Sequence, residues 1–157
     1  MKILDQSEDI RTKLKSALES CGFGVVFRNE FRNFWDEASN LLDSKCISAS
    51  HLTIDYFIEY EQGNGRRCED YSLVILVNKK PVAIWPLSIN TLAESSFLAS
   101  PGGLVSCPLY LSSTSAKLKE KVAKSCYKIC IDFAKIIGQK DFLSVCFDAD
   151  SSVVSPW

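Results

Sequence analysis

Few side chains in this sequence can carry acid–base or nucleophilic chemistry, and they are scattered. His51 is the sole histidine, which leaves one imidazole as a general base and excludes a multi-histidine metal centre. It stands in the polar stretch DSKCISASHL, residues 43–52, where hydrogen bonding beside a helix cap is the structural alternative to catalysis. Glu69 and Asp70 are adjacent carboxylates just before an apolar run. With Glu59 and Glu61 they could form an acidic cluster that takes a proton from an amine. The competing reading is a solvated rim paired with Arg66 and Arg67. Cys126 and Cys130 sit one helical turn apart, a spacing that can bind metal. Their neighbours Val122, Ile129 and Phe133 point to core packing, and zinc would need two more convergent ligands, so no metal site is expected. Cys107, between Ser106 and Pro108, is the candidate exposed thiol, but no histidine or helix start beside it would supply a thiolate.

The totals narrow the function classes. A formal net charge of −1 gives no global attraction to DNA or acidic membranes. The lysines at 117, 119, 121, 124 and 128 could form a polyanion-binding face, but Glu120 and Asp132 interrupt them, and a wet helix face is the simpler account. With 46% apolar and 24% charged residues over 157 positions, the expectation is one soluble globular domain. No run approaches the about 18 apolar residues of a membrane span. The start, MKILDQSEDIRTKLK, has no apolar signal core, and seven irregularly spaced cysteines without a CxxC pair read as reduced thiols. Both point to a cytoplasmic protein.

The element that must position these groups is YSLVILVNKKPVAIWPLSI, residues 71–89. Two strand-like runs around Asn78-Lys79-Lys80 predict a β-hairpin. Leu73, Ile75 and Val77 face one way and Val74 and Leu76 the other, so both faces should be covered and the hairpin should lie inside a sheet. Pro86 removes a ladder donor and should bulge, edge or end its strand near Trp85. If that strand splays, Trp85, Pro101, Gly102, Gly103 and Tyr110 line a cleft; otherwise Trp85 fills the core. Upstream, a short strand over 1–4, a helix to about Cys21, a strand over Val25–Phe27 and a helix from about Asn29 to Leu42 are predicted. That second helix presents Phe31, Phe34, Trp35, Ala38, Leu41 and Leu42 as a core stripe. A short helix capped by Thr53 and ended by Gln62-Gly63 follows, and residues 63–70 read as a turn-rich loop. Downstream come a strand near Phe97-Leu98, the punctuated stretch 100–115, a long helix from Ser115 to about Ile137 and a strand over 142–148.

From Ser50 onward this order resembles the front half of a Fem-type (FemAB-like) aminoacyl or acyl transferase domain, a branch of the GNAT acyltransferase fold. The residues that carry the likeness are SASHLTIDYFIEYEQ, the hairpin ending in apolar-Pro-Leu, GGLVSCPLYL, and the long helix leading to FLSVCFD, over about residues 50–150. The resemblance implies a mixed, mainly antiparallel sheet flanked by helices; residues 1–45, which it does not cover, read as a helical N-terminal segment, either part of the same sheet or a separate lid. It implies transfer of an acyl or aminoacyl group to an amine on a small-molecule or glycan acceptor such as a cell-wall precursor. The donor would be acyl-CoA or aminoacyl-tRNA. Trp85, Ser106, Tyr110, Ser113 and Ser115 are then the candidate substrate-binding residues, and Glu69, Asp70 and His51 the candidate bases. In place of the glycine-rich coenzyme turn of ordinary acetyltransferases stands SSTSAKLK, which fits the aminoacyl-tRNA branch or an inactive domain. A working transferase of this kind would need a further C-terminal half or a homodimer; the rival expectation is a non-catalytic GNAT-like interaction or dimerisation module that completes its sheet with another chain.

Overall fold

The computed structural model describes residues 3–43, 47–92, 95–101, 103, 105–136 and 145–146. It is a mixed α/β fold whose sheets are mainly antiparallel and carry helices on their faces.

Helix α1 spans Ile3–Ser20, so Ile3 and Leu4 are helical rather than part of the expected opening strand over 1–4; residues 1 and 2 lie outside the described residues. Ile10, Leu14, Ala17 and Leu18 fall on one stripe and pack into the core. Gly22, at φ +85°, ends the helix: its N–H bonds to Glu19 O (2.9 Å) and Phe23 N–H to Leu18 O (3.1 Å). Those two bonds satisfy carbonyls the helix leaves open, and Phe23 packs in the same core as Leu18. Strand β1, Gly24–Phe27, follows at once.

Helix α2, Arg32–Ser39, is shorter than the aromatic stripe implied. Trp35 and Ala38 are buried, with Trp35 Nε1 donating to Ala49 O at 2.8 Å. Phe31 and Leu41, expected in the core, lie outside the helix and are exposed. Part of the expected polar loop is helical: Ile47–Ala49 makes a 3₁₀ turn, and α3 runs His51–Gly63. Ser50, not Thr53, is the cap; its Oγ accepts from Thr53 N at 3.1 Å. His51 is therefore the first helical residue rather than a loop residue.

The central hairpin is longer than expected. Strand β2, Arg67–Asp70, occupies half of the supposed loop 63–70. It leads through Tyr71-Ser72 into β3, Leu73–Val77, and then β4, Lys80–Trp85. Asn78 and Lys79 turn the chain with φ of 51° and 64°, as a two-residue type I′ turn requires. Pro86 ends β4, and the chain resumes as β5, Ser88–Leu92. The register survives that break: Asp70 lies opposite Ser88 just as Leu73 lies opposite Trp85. One ladder thus passes through two sheets, interrupted where proline has no N–H to give. A bulge appears instead after Pro81, where Ala83 pairs with Ile75 but Pro81 with Leu76, leaving Val82 over.

The first sheet has the order β1-β3-β4-β8, with β8 at Leu109–Tyr110. The hairpin strands are its inner pair, and residues 24–27 form one edge, so the N-terminal segment belongs to the sheet. The second sheet is β2-β5-β6, with β6 at Ser95–Ala99. Strand β7, Val105–Ser106, pairs in parallel with β9, Val145–Cys146, across helix α4, Ala116–Ile136. The rest of the strand expected over 142–148 lies outside the described residues.

Both faces of the hairpin are covered, as its two-sided apolar pattern demands. Leu73, Ile75 and Val77 pack with α1 and with Val122, Cys126, Ile129, Cys130 and Phe133 of α4. Val74, Leu76 and Ile84 pack with Trp35, Ala38, Ala49 and Ile54. Full burial of side chains such as Leu14, Leu18 and Ile75 stabilises by about 1.5–3 kcal/mol each before entropy is counted.

Candidate functional site

Arg28 organises the polar interior. It follows β1 directly, and its N–H extends the β1–β3 ladder by bonding to Ser72 O at 2.8 Å. Its side chain is only 2% exposed, a placement a guanidinium tolerates only when paired. Three elements supply partners. Nε donates to Asp70 Oδ2 at the end of β2 (2.8 Å), and Nη2 to Asp55 Oδ1 on α3 (2.6 Å). Nη1 donates to His51 Nδ1 at 2.8 Å. Arginine has no acceptor, so this contact assigns the lone pair of His51 to Nδ1 and its proton to Nε2. Nε2 then faces Asp36 Oδ1 at 3.0 Å and the Arg32 carbonyl at 3.4 Å, both on α2.

The carboxylates are fully engaged. Asp70 also accepts from Ser72 N at 2.9 Å through its other oxygen. Asp55 takes a second arginine, Arg32, at 3.1 Å. Burial acts to raise the Asp55 carboxyl, but hydrogen bonds and charge from Arg28 and Arg32 outweigh it and hold it below its usual value. Arg11 closes the neighbouring edge: it bonds Asp70 O (3.2 Å) and Asn29 Oδ1 (3.1 Å) and lies against the rings of Phe27 and Tyr71.

Two of the three candidate bases, His51 and Asp70, therefore meet on Arg28. Glu69 does not join them, because neighbouring strand residues point to opposite faces. It accepts from Tyr71 OH at 3.0 Å and pairs with Arg67. Burial, then the Glu69 charge, push the Tyr71 hydroxyl well above its ordinary value. Glu61 is buried against Arg66 at 2.7 Å, and Glu59 is exposed. Glu59, Glu61, Glu69 and Asp70 thus form no single acidic cluster: on α3, Glu59 faces solvent and Glu61 pairs with Arg66, while on β2, Glu69 pairs with Arg67 and Asp70 with Arg28.

The candidate substrate-binding residues lie elsewhere and do not share one pocket among the described residues. Trp85 packs with Leu73 and Ile75 on the α1/α4 side, 1% exposed, and its Nε1 donates to Ser106 O at 2.9 Å. It fills the core rather than lining an open cleft. Tyr110 sits on β8 opposite Ala83, half-buried, with its hydroxyl 3.8 Å from Cys107 Sγ and Lys119 Nζ over its ring. Burial, followed by the neighbouring Cys107, raises its hydroxyl pKa strongly. Ser113 and Ser115 are exposed at the approach to α4. Between them Thr114 is buried, bonding the bulged Val82 carbonyl at 2.7 Å. Ser115, Lys117, Leu118, Glu120, Lys121 and Lys124 border a hollow of about 490 Å³ along the first turns of α4. Of the glycine-proline segment, Pro101 is partly buried and Gly103 exposed at φ +94°, and Gly102 lies outside the described residues.

His51 and Asp70, held by Arg28, thus lie on the face of the sheet opposite Trp85 and Tyr110, which pack in the α1/α4 core. The sequence reading missed Arg28 altogether. A lone arginine after GVVF carries no local signal, and only the convergence of β1, β2 and α3 gives it partners.

Cys68, Cys126 and Cys130 behave as core, whereas Cys21 and Cys107 are only partly buried. Cys126 and Cys130 are buried on α4, where burial raises Cys126 well above its ordinary value and Cys130 to about 12. Burial also pushes Cys68 up to about 12. Among the described residues no three metal-ligating side chains gather, and no helix is long and apolar enough to cross a membrane. No family model, no curated protein and no solved structure matches this chain.

Proposed function

We propose that the chain is part of an acyl- or aminoacyl-transfer scaffold that accepts a phosphate-bearing donor at the start of α4. The observation that carries this reading is the hollow bordered by Ser115, Lys117, Lys121 and Lys124. The ammonium groups of Lys117 and Lys121 and the Ser115 hydroxyl, on the first turns of α4, complement the phosphates of acyl-CoA or aminoacyl-tRNA. Glu120 is paired with Lys124 at 2.6 Å, so these two charges offset each other and Lys117 and Lys121 carry the net positive charge of the hollow. Tyr110 and Ser113, in the segment leading to that helix, are the hydroxyls available to orient an amine acceptor or to donate to a developing oxyanion. His51 and Asp70, turned to the other face and bound to Arg28, serve the scaffold rather than the transfer.

The test is binding of CoA and of tRNA to the full chain at low and high salt, repeated with Lys117, Lys121 and Lys124 changed together to Ala. Binding that weakens with salt and is lost in the triple variant supports the reading. Absence of any binding at low salt overturns it.

A second reading, a non-catalytic interaction module, is favoured by a separate observation. Leu52, Tyr56 and Tyr60 recur every four residues along the outer face of α3 and are 81%, 66% and 56% exposed. The two tyrosine rings stack at 6.4 Å, leaving a firm aromatic strip in solvent. Self-association that is abolished by Tyr56→Ser, with no response to CoA or tRNA, would favour this module over transfer.

A further inference from the structure

We propose that His51 is a proton-operated latch that fastens the first turn of α3 to the β1 edge and releases it on mild acidification. The latch is the hydrogen bond from Arg28 Nη1 to His51 Nδ1, 2.8 Å long. Only an imidazole with a bare Nδ1 can accept it. The neutral ring already satisfies its other side, with Nε2–H toward Asp36 Oδ1 at 3.0 Å. An added proton therefore has one place to go, Nδ1, where it meets a guanidinium.

Arg28 cannot retreat. It is 2% exposed and pinned on its other nitrogens by Asp70 and Asp55. Protonation thus replaces a charge-assisted hydrogen bond with two cations in contact, in an interior that screens poorly. The charged groups around the ring come from every element packed there: Arg28 from the β1 end, Arg32 and Asp36 from α2, Asp55 from the next turn of α3. Asp70 of β2 acts through Arg28. Asp36 favours a cationic ring, but the neutral tautomer already meets it, so the extra proton gains little there. Asp55 and Asp70 are occupied by Arg28. The ring's side chain is 20% exposed, enough for solvent protons to reach it. Imidazole is the one side chain that ordinarily changes charge in mildly acidic solution, and this chain has a single one.

The hold is present with the neutral ring and is lost when the ring takes up a second proton. What is released is the Ser50-capped turn, where Thr53 N and Ile54 N bond to Ser50. The same helix carries the exposed Leu52–Tyr56–Tyr60 strip, so the latch would regulate how that strip is presented.

The experiment is NMR on the full chain, where the single histidine makes the imidazole resonances unambiguous. Long-range ¹⁵N spectra at pH 7.5 should show the Nε2–H tautomer. Between pH 7.5 and 5.5, exchange of the Thr53 and Ile54 amides should accelerate about tenfold relative to their intrinsic rates, the scale set by losing one hydrogen bond to a charged group. In His51→Gln, whose amide can accept from Arg28 and donate to Asp36, that acceleration should vanish. An Nδ1–H tautomer at pH 7.5, unchanged protection at pH 5.5, or the same acceleration in H51Q would each overturn the latch. The tautomer and the wild-type exchange decide the matter even if H51Q does not fold.

Discussion

Replacing Arg28 with Met removes the cation from the polar interior while keeping most of the side-chain volume. The Asp70 carboxylate, on a side chain 12% exposed, then loses its cation and keeps the Ser72 N–H. Asp55 suffers less, because it is 34% exposed and keeps Arg32. Taking one partner from a buried ion pair typically costs about 3–5 kcal/mol. The surviving contacts of Asp55 place R28M near the lower end, about 3 kcal/mol, a large share of the roughly 5–15 kcal/mol that holds a typical domain folded. Urea unfolding followed by tryptophan fluorescence reads this directly, since Trp35 and Trp85 are both buried. With a slope of about 2 kcal/mol per molar, the midpoint should fall by about 1.5 M. The double variant R28M/D70N discriminates further. The amide introduced by Asp70→Asn can still accept from Ser72 N, and no uncompensated carboxylate remains at that position, so the double variant should recover at least half of the loss. A cost below about 1 kcal/mol for R28M, or a double variant no more stable than the single one, would refute the view that Arg28 compensates buried charge.

Three further outcomes follow from the same structure. Lys79→Gly should raise stability by about 0.5–1 kcal/mol in thermal or urea unfolding, because a β-carbon at φ 64° is strained where glycine is not. Asp55→Asn should destabilise at pH 7 and flatten the acid limb of the stability profile. The lowered folded-state value of Asp55 means that its contribution is present above its ordinary 3.8 and is lost as pH falls through the lower folded value, which pH-dependent unfolding measures. Among the described cysteines outside the β7/β9 pair, Cys21 and Cys107 should be alkylated in the native state before Cys68, Cys126 and Cys130. The latter three are buried, with thiols raised by that burial, and peptide mass spectrometry after timed iodoacetamide treatment gives the order.

Short-range pattern in the chain was enough to specify part of the fold. Apolar residues on alternating and on third-and-fourth positions foretold the buried two-sided hairpin, the inner faces of α1 and α4, and the arrest of β4 at Pro86. Capping and strand ends were less legible. Ser50 and Thr53 are both acceptable caps, and RCED reads as loop until pairing with β5 supplies its ladder. The polar centre was not legible at all. Asp70 and His51 stood out as reactive types, but nothing local says that Arg28, 23 residues before His51 and 42 before Asp70, lies between them. Whether Glu69 acts with Asp70, and whether Trp85 faces a cleft or the core, was decided only when strand direction assigned each side chain to a face. Local periodicity follows from the geometry of one element, whereas ion-pair partners and shared faces arise only when several elements close on one another.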